Sequence, residues 1–471
     1  PTVPARLAAS GADATTARSS NRRDRRMPDA PPNIVYIHSH DTGRYIQPYG
    51  YAVKTPRLQE FAEQGVLFRN AFTVNPTCSP SRAALLCGTY PHENGMIGLA
   101  HRGARLNDPG DHLVATLNPA GYRTARVGVQ HVAHGDGPWP AYDEVLETDG
   151  LNAASIVEQA RAFVSRPHDK PFFLACGFFE THRYAYWHHQ DDVGSKGDPR
   201  HVRPPAGLPD TERTRTDFAD YAEAANELDG SMGSVIEAID AAGLGDNTLV
   251  IVTTDHGLAF PGMKCSLSDR GQGVMLMMRG PGGFDGGRVL DPMVTHLDLF
   301  PTICGVAGIE APARLRGKSL RPLVNGEVDR LHDATFGTVN FHAAYEPKRA
   351  IRTERYRYVK RLKTRSHAVL PNCDNSPSKD EWMAAGWADR PQAEESLYDL
   401  AFDPQEACNV AGDAAYADVL ADLRGRLRAW REETNDPWLD GEPDCSHMRA
   451  NPANGLNPGK ADERPYVPEA D

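Results

Sequence analysis

The sequence predicts an α/β protein: a large, mostly parallel sheet followed by a smaller α+β unit. Three observations carry this. Residues 33–39 (NIVYIHS), 171–179 (PFFLACGFF) and 248–254 (TLVIVTT) are unbroken apolar runs, the pattern of parallel strands buried on both faces. Residues 350–353 and 356–360 alternate in polarity instead, which signals antiparallel strands. At 471 residues the chain exceeds one ordinary domain.

Taken in order, the first strand runs into His40-Asp41-Thr42-Gly43-Arg44, and polar residues at such a strand end stand where open α/β sheets bind ligands. His38, inside the strand, reads as a histidine satisfied by its neighbours. Thr55-Pro56 starts a helix through Leu58, Phe61 and Ala62 that Gly65 stops. One short strand, Val66 to Thr73, then feeds the loop at Cys78. In Cys78-Ser79-Pro80-Ser81-Arg82 a thiol precedes a Pro-started helix with an arginine one turn on. Helix N-terminal amides favour negative charge, so this is an anion site holding a nucleophile. The bland alternative is a buried cysteine acting as a small hydrophobe.

A helix over 111–121 and a strand from Tyr122 to Gly128 lead to Val129-Gln130-His131, and a helix over 152–165 leads to the strand that ends in Glu180-Thr181-His182-Arg183. Residues 184–216, polar, Pro-rich and carrying His188 and His189, form a connection long enough to be a substrate rim. Helical periodicity over 218–242 is expected to break at Gly230 and Gly233. The run 248–254 enters Asp255-His256-Gly257, Lys264 precedes a strand over 274–279, and a further helix starts at Thr295. Leu397–Leu400 and a helix over 414–433 complete the second unit. The expected divisions are a disordered or upstream-derived tail (1–32), a catalytic domain (33–334), an α+β subdomain (335–445) and a loose C-terminal tail (446–471).

The net charge of −12 and the lack of a basic face exclude a non-specific nucleic-acid binder, while leaving room for a local cationic pocket. No run of about 18 apolar residues exists, so no membrane-spanning helix is expected. The eight cysteines show no C-x-x-C pairs and read as reduced. Residues 1–26 lack the apolar core of a secretory signal, and Met27 looks like a natural start. Together these predict a cytoplasmic protein.

The stretch from Pro76 to Gly98, centred on Cys78-Ser79-Pro80-Ser81-Arg82, resembles the signature of the type I sulfatases of the alkaline phosphatase superfamily, in which the Cys of Cys-x-Pro-x-Arg is oxidised to formylglycine. Residues 121–131 (GYRTARVGVQH) are similar to the second signature of that family. The resemblance runs from about Asn33 to Pro443. Within the family it leans to the sulfamidase (N-sulfoglucosamine sulfohydrolase) branch, on His92-Glu93-Asn94-Gly95-Met96, Lys170-Pro171-Phe172-Phe173 and Ala429 to Trp438. It implies a sheet sandwiched by helices and a hydrolase of aryl or sugar sulfates or sulfamates. The catalytic residues it implies are Cys78 (as formylglycine), Arg82, His131, His182 and Lys264. His182 and Lys264 would serve the leaving group, and His131 would take a proton from the residue at 78. The implied metal ligands are His40, Asp41, Cys78, Asp255 and His256, and the implied maturation partner is a formylglycine-generating enzyme.

Three positions depart from the pattern: His40 replaces an Asp, Val129 replaces a Lys, and Cys87 stands where Thr, Ala or Arg is usual. The resemblance implies one divalent metal, calcium in most relatives. Imidazoles at His40 and His256 move the expectation towards manganese or another transition metal. A phosphodiesterase or phosphonate monoester hydrolase of the same superfamily is one rival reading. A non-catalytic anion-binding homologue, suggested by Val129, is another.

Overall fold

The computed structural model describes residues 30–135, 139–183 and 197–468. The expected rim therefore falls partly outside the described residues, His188 and His189 included, as does most of the N-terminal tail. The first ten strands are β1 (Asn33–Ser39), β2 (Val66–Phe68), β3 (Ala71–Phe72), β4 (Arg123–Gly128), β5 (Glu144–Leu146), β6 (Phe172–Gly177), β7 (Thr248–Thr254), β8 (Leu276–Arg279), β9 (Arg288–Leu290) and β10 (Val294–Thr295). Eight of them form one sheet in the order β5-β4-β6-β1-β7-β8-β2-β9, while β3 pairs with β10. Neighbours from β5 to β7 are parallel, and β8 runs antiparallel to both β7 and β2.

The unbroken apolar runs are explained by what covers the sheet. Ile34 and Tyr36 of β1 face a layer containing Leu85, Leu86, Phe300 and Ile303. Val35 and Ile37 face the opposite layer with Phe61, Phe163, Met232 and Val235. Both sides of each central strand are thus removed from water, at roughly 1.5–3 kcal/mol for each fully buried large aliphatic side chain. Parallel pairing then brings three strand ends to one edge: His38 lies level with Gly177 of β6 and with Thr253 of β7.

Two sequence expectations change here. The helix Glu212–Ala241 is continuous. A Cβ on Gly233 would lie 2.3 Å from Arg57 Cδ, so this glycine permits a close approach to the helix Pro56–Gln64 rather than a break. Asp229, on the same helix, accepts from the N–H groups of Arg57 and Leu58 at 3.1 and 2.8 Å, capping the neighbouring helix. Residues 66–73 form two strands, because Arg69 and Asn70 turn outward and bond to Leu290 and Asp291.

A second sheet follows the chain as β11 (Thr335–Phe341), β12 (Tyr345–Arg352), β13 (Tyr356–Arg361) and β14 (Glu395–Asp399), antiparallel throughout. The helix Ala417–Glu433 covers it, with Leu423, Leu427 and Trp430 packing near Ile351, Tyr358 and Leu397. The segment beyond residue 446, expected to be loose, is anchored up to residue 468. β15 (Arg449–Ala450) pairs with β16 (Arg464–Pro465), and Met448 is wholly buried in the layer that also holds Leu85 and Phe341. Its polar composition conceals this, since the anchors are a few scattered side chains, Met448, Ala450, Asn451 and Tyr466, together with main-chain groups. Among the described residues no helix is long and apolar enough to cross a membrane.

Candidate active site

Three strand ends and one helix start supply the side chains. His40 and Asp41 leave β1, and the chain there is tied to the end of β6 through His40 N–H to Glu180 O (3.0 Å) and Thr181 N–H to His40 O (2.7 Å). Asp41 adopts a left-handed backbone (φ 55°), which aspartate tolerates better than most residues. Its N–H donates to Asp255 Oδ1 at 2.9 Å, coupling the ends of β1 and β7. Cys78 is the first residue of the helix Cys78–Cys87, after Thr77 as N-cap, with Pro80 inside the first turn. The thiol therefore sits within the helix start rather than ahead of it.

Cys78 Sγ lies 3.4 Å from His256 Nε2. His256 Nδ1 is bonded to Gly257 O at 2.9 Å, which puts the ring hydrogen on Nδ1 and turns the Nε2 lone pair to Cys78 and to Asp41 Oδ1, 3.3 Å away. His40 Nδ1 is 3.1 Å from Asp255 Oδ2, yet off the line of a hydrogen bond. Among the described residues, both His40 ring nitrogens and Asp41 Oδ1 are buried without a hydrogen-bond partner, at a cost of about 1–3 kcal/mol each. Ligand atoms of His40, Asp41, Cys78 and Asp255 all lie within 4.8 Å of one another. A divalent cation fits this set: it satisfies the orphaned atoms with two carboxylates and imidazole nitrogen. The five residues expected as metal ligands thus come together.

Arg82, buried beside them, donates to Asp255 Oδ2 (2.9 Å) and Ser39 O (2.7 Å), and its Nη1 meets His38 Nδ1 at 2.5 Å. His38 is accordingly a satisfied strand histidine. Burial works against the Asp255 carboxylate, but His256, Arg82 and His40 outweigh it and hold its pKa well below the usual range. Burial pushes the Cys78 thiol well up, and Asp41 and Asp255 add to the effect, so unmodified Cys78 is a thiol and not a thiolate nucleophile. Burial also pushes His40, His131 and His182 down, leaving neutral imidazoles.

Lys264 Nζ donates to Asp41 Oδ2 at 3.0 Å and to Asp374 Oδ2 at 3.2 Å. Burial disfavours its ammonium form, but Asp374 and Asp41 prevail and raise its pKa well above the ordinary lysine value. His182 Nε2 stands 3.9 Å from Asp41 Oδ2. The His131 ring lies 5.9 Å from that of His40, on a left-handed residue (φ 57°). The Gln130 side chain pins that turn: its Oε1 accepts from Val132 and Ala133 N–H, and its Nε2 donates to Ala133 O. Val129 bonds through its N–H to Gly177 O at 2.9 Å and contributes no charge.

Sequence reasoning missed Asp374, Gln130 and His101, which meets His131. Only Gln130 carried a signal, as the residue between Val129 and His131. Asp374 lies in an irregular stretch far along the chain, and nothing local marks it.

Residues 32–309 match the family model described as Sulfatase, and residues 264–385 match the one described as N-sulphoglucosamine sulphohydrolase, C-terminal. The chain is 31% identical over 466 residues to the N-sulphoglucosamine sulphohydrolase of Homo sapiens, covering 87% of this chain and 91% of that one. It is 25% identical over 478 residues to the Delta 4,5-hexuronate-2-O-sulfatase of Bacteroides thetaiotaomicron, covering 88% and 92%. In fold it is similar to a solved 2-O GAG sulfatase, with a TM-score of 0.71 at 22% identity over 92% of this chain and 98% of that one. It is also similar to a protein solved with its substrate D-glucosamine-2-N,6-O-disulfate, with a TM-score of 0.69 at 19% identity over 88% and 100%.

Proposed function

Because the chain belongs to the sulfatase family, hydrolases of sulfate esters or sulfamates, we propose that its site removes a sulfo group from nitrogen or oxygen of a sugar. The observation that carries this is the buried cluster of His40, Asp41, Cys78 and Asp255 with its orphaned atoms, walled by Arg82, Lys264 and two neutral histidines. When present, the metal supplies positive charge to the sulfo oxygens and formylglycine at position 78 supplies a hydroxyl nucleophile. His40, Asp41, Asp255 and His256 hold the metal. Arg82 orients Asp255 and adds a fixed cation. Lys264, the charged donor beside Asp41 Oδ2, protonates the departing nitrogen or oxygen, and neutral His182, 3.9 Å from the same carboxylate oxygen, hydrogen-bonds the departing atom. His131 takes a proton from the hydroxyl at position 78 in the second half of the reaction. The relatives named for N-sulphoglucosamine and hexuronate 2-O-sulfate support an acidic or amino sugar as the substrate.

Protein co-produced with a formylglycine-generating enzyme should show aldehyde in place of the Cys78 thiol by peptide mass spectrometry. It should release sulfate from N-sulfo- or O-sulfo-glucosamine and from an aryl sulfate faster than it cleaves an aryl phosphodiester. Activity in material that carries only the thiol, or preference for the phosphodiester, sinks the proposal. The two imidazoles favour manganese or another transition metal over calcium. Chelated protein should recover its activity best with manganese, and recovery with calcium alone would reverse this reading.

A further inference from the structure

His131 has a partner of its own type. His101 lies in the 3-10 turn Ala100–Arg102, with its Nδ1 3.1 Å from His131 Nε2. The two rings are 5° from parallel with centroids 5.4 Å apart. The turn is held from both sides. Ala100 N–H donates to Ser79 Oγ, beside Cys78, at 3.0 Å, and Arg102 donates to Asn451 Oδ1 and Pro458 O, each at 2.8 Å. His101 also lines a cavity of about 370 Å³ with Arg105 and His134, so water can serve its other nitrogen. Burial, reinforced by Arg102, Lys460 and His134, pushes His101 down to about 4, so it meets His131 as a neutral ring.

Two neutral imidazoles joined nitrogen to nitrogen share one hydrogen, and its place decides what the rest of each ring can do. A hydrogen on His131 Nε2 leaves the Nδ1 lone pair as a base, whereas a hydrogen on Nδ1 leaves none. We infer that His101 is a positioning residue for His131: its Nδ1 accepts the hydrogen of His131 Nε2 and fixes the tautomer whose Nδ1 takes a proton from the hydroxyl at position 78. This rests on the role given to His131 in the proposed reaction. In that step the O–H bond breaks, an Nδ1–H bond forms, and the positive charge on His131 is stabilised by the hydrogen bond to His101.

The test compares His101→Ala with His101→Asn, whose side-chain oxygen can take over the acceptor position. In protein labelled with ¹⁵N-histidine and purified with Cys78 unconverted, His131, assigned through His131→Ala, should show its hydrogen on Nε2. That signature should be lost in His101→Ala and kept in His101→Asn. In converted, metal-loaded enzyme with 4-nitrophenyl sulfate, His101→Ala should release the first equivalent of nitrophenol per site at the unaltered rate. Its later turnovers should be about 10–100-fold slower, the usual penalty for losing an orienting partner, and His101→Asn should restore most of that loss. An unchanged His131 tautomer in His101→Ala overturns the inference, as does a first equivalent slowed as much as the later ones. If the unaltered protein releases no sulfate, the sulfatase reading of the site fails, while the tautomer measurement still decides for or against the His101 contact.

Discussion

Asp374 changes what Lys264 is. Counted by residue type alone, with Lys264 as a cation, the carboxylate absent at His40 and the cation absent at Val129 cancel in net charge. The structure adds a third carboxylate, 3.2 Å from the lysine, which the cancellation did not include. Since Asp374 is the largest influence holding the buried ammonium in its charged form, Asp374→Asn should lower the pKa of Lys264. A lysine loses its charge as pH rises through its folded pKa, so the alkaline limb of kcat/KM for an aryl sulfate should move to lower pH. An unmoved limb would show that Lys264 does not depend on Asp374.

The cancellation itself is still testable. His40 and Val129 leave strands separated by β6, roughly 10 Å apart at the usual strand spacing, where two charges in an effective dielectric of about 20 interact by roughly 1.7 kcal/mol. His40→Asp and Val129→Lys should each lower kcat/KM, and the double substitution should recover part of the loss with coupling of about 1 kcal/mol or more. Purely additive losses at normal metal content would mean that the two positions changed independently. His40, Asp41, Asp255 and His182 were legible because each follows an apolar run that could only be a buried strand. Asp374 and His101 were not, because irregular segments carry no periodicity and only tertiary folding brings them near.

Strands follow the same division. Those of the large sheet announce themselves, but β12 is buried on both faces while carrying Glu346, Lys348 and Arg349, a charge density that reads as solvent-facing. The structure resolves the conflict by pairing. Glu346 meets Lys348 at 2.9 Å and Arg361 of β13 at 2.6 Å, and Lys348 donates to Cys265 O at 3.0 Å. Burial opposes the Glu346 carboxylate, but Lys348 and Arg361 hold it at about 2. Its folded pKa lies below the unfolded value of about 4.3, so its stabilisation is present above that value and is lost as pH falls towards 2. Glu346→Gln should therefore cost about 3 kcal/mol at pH 7, read from urea midpoints, with the gap to the unaltered protein narrowing to roughly half at pH 3. A gap independent of pH would remove the charge from the explanation. The helix Glu212–Ala241 teaches the complementary lesson: Gly233 looks like a breaker until Arg57 is seen to need the space, and the helix simply runs on through Gly230, where a Cβ would meet open space.

Across the whole molecule, the C-terminal segment closes the structure over the turn that carries His101. A Cβ on Gly98 would come within 2.6 Å of Met448 Cε, and one on Gly103 within 2.3 Å of His447 O, so the two pieces of chain are in direct contact. Met448→Ala should destabilise by about 2–5 kcal/mol, measured by chemical denaturation. If the segment serves only as a cover, the variant should keep its kcat at temperatures where it remains folded.

Arg102 and its partner Asn451 are 349 residues apart in the chain, and this separation sets a clock. At synthesis rates of about 5–20 residues per second, roughly 20–70 s pass between the emergence of the two. During that interval the turn at residues 100–102 lacks its outer support. In the finished protein Cys78 is only 2% exposed, beneath a helix start whose neighbour Ser79 is tied to that turn. If Cys78 is matured as proposed, by an enzyme that grips the chain around it, that enzyme has its access before Asn451 is made, and the order of synthesis, as much as affinity, would govern how much of the protein matures.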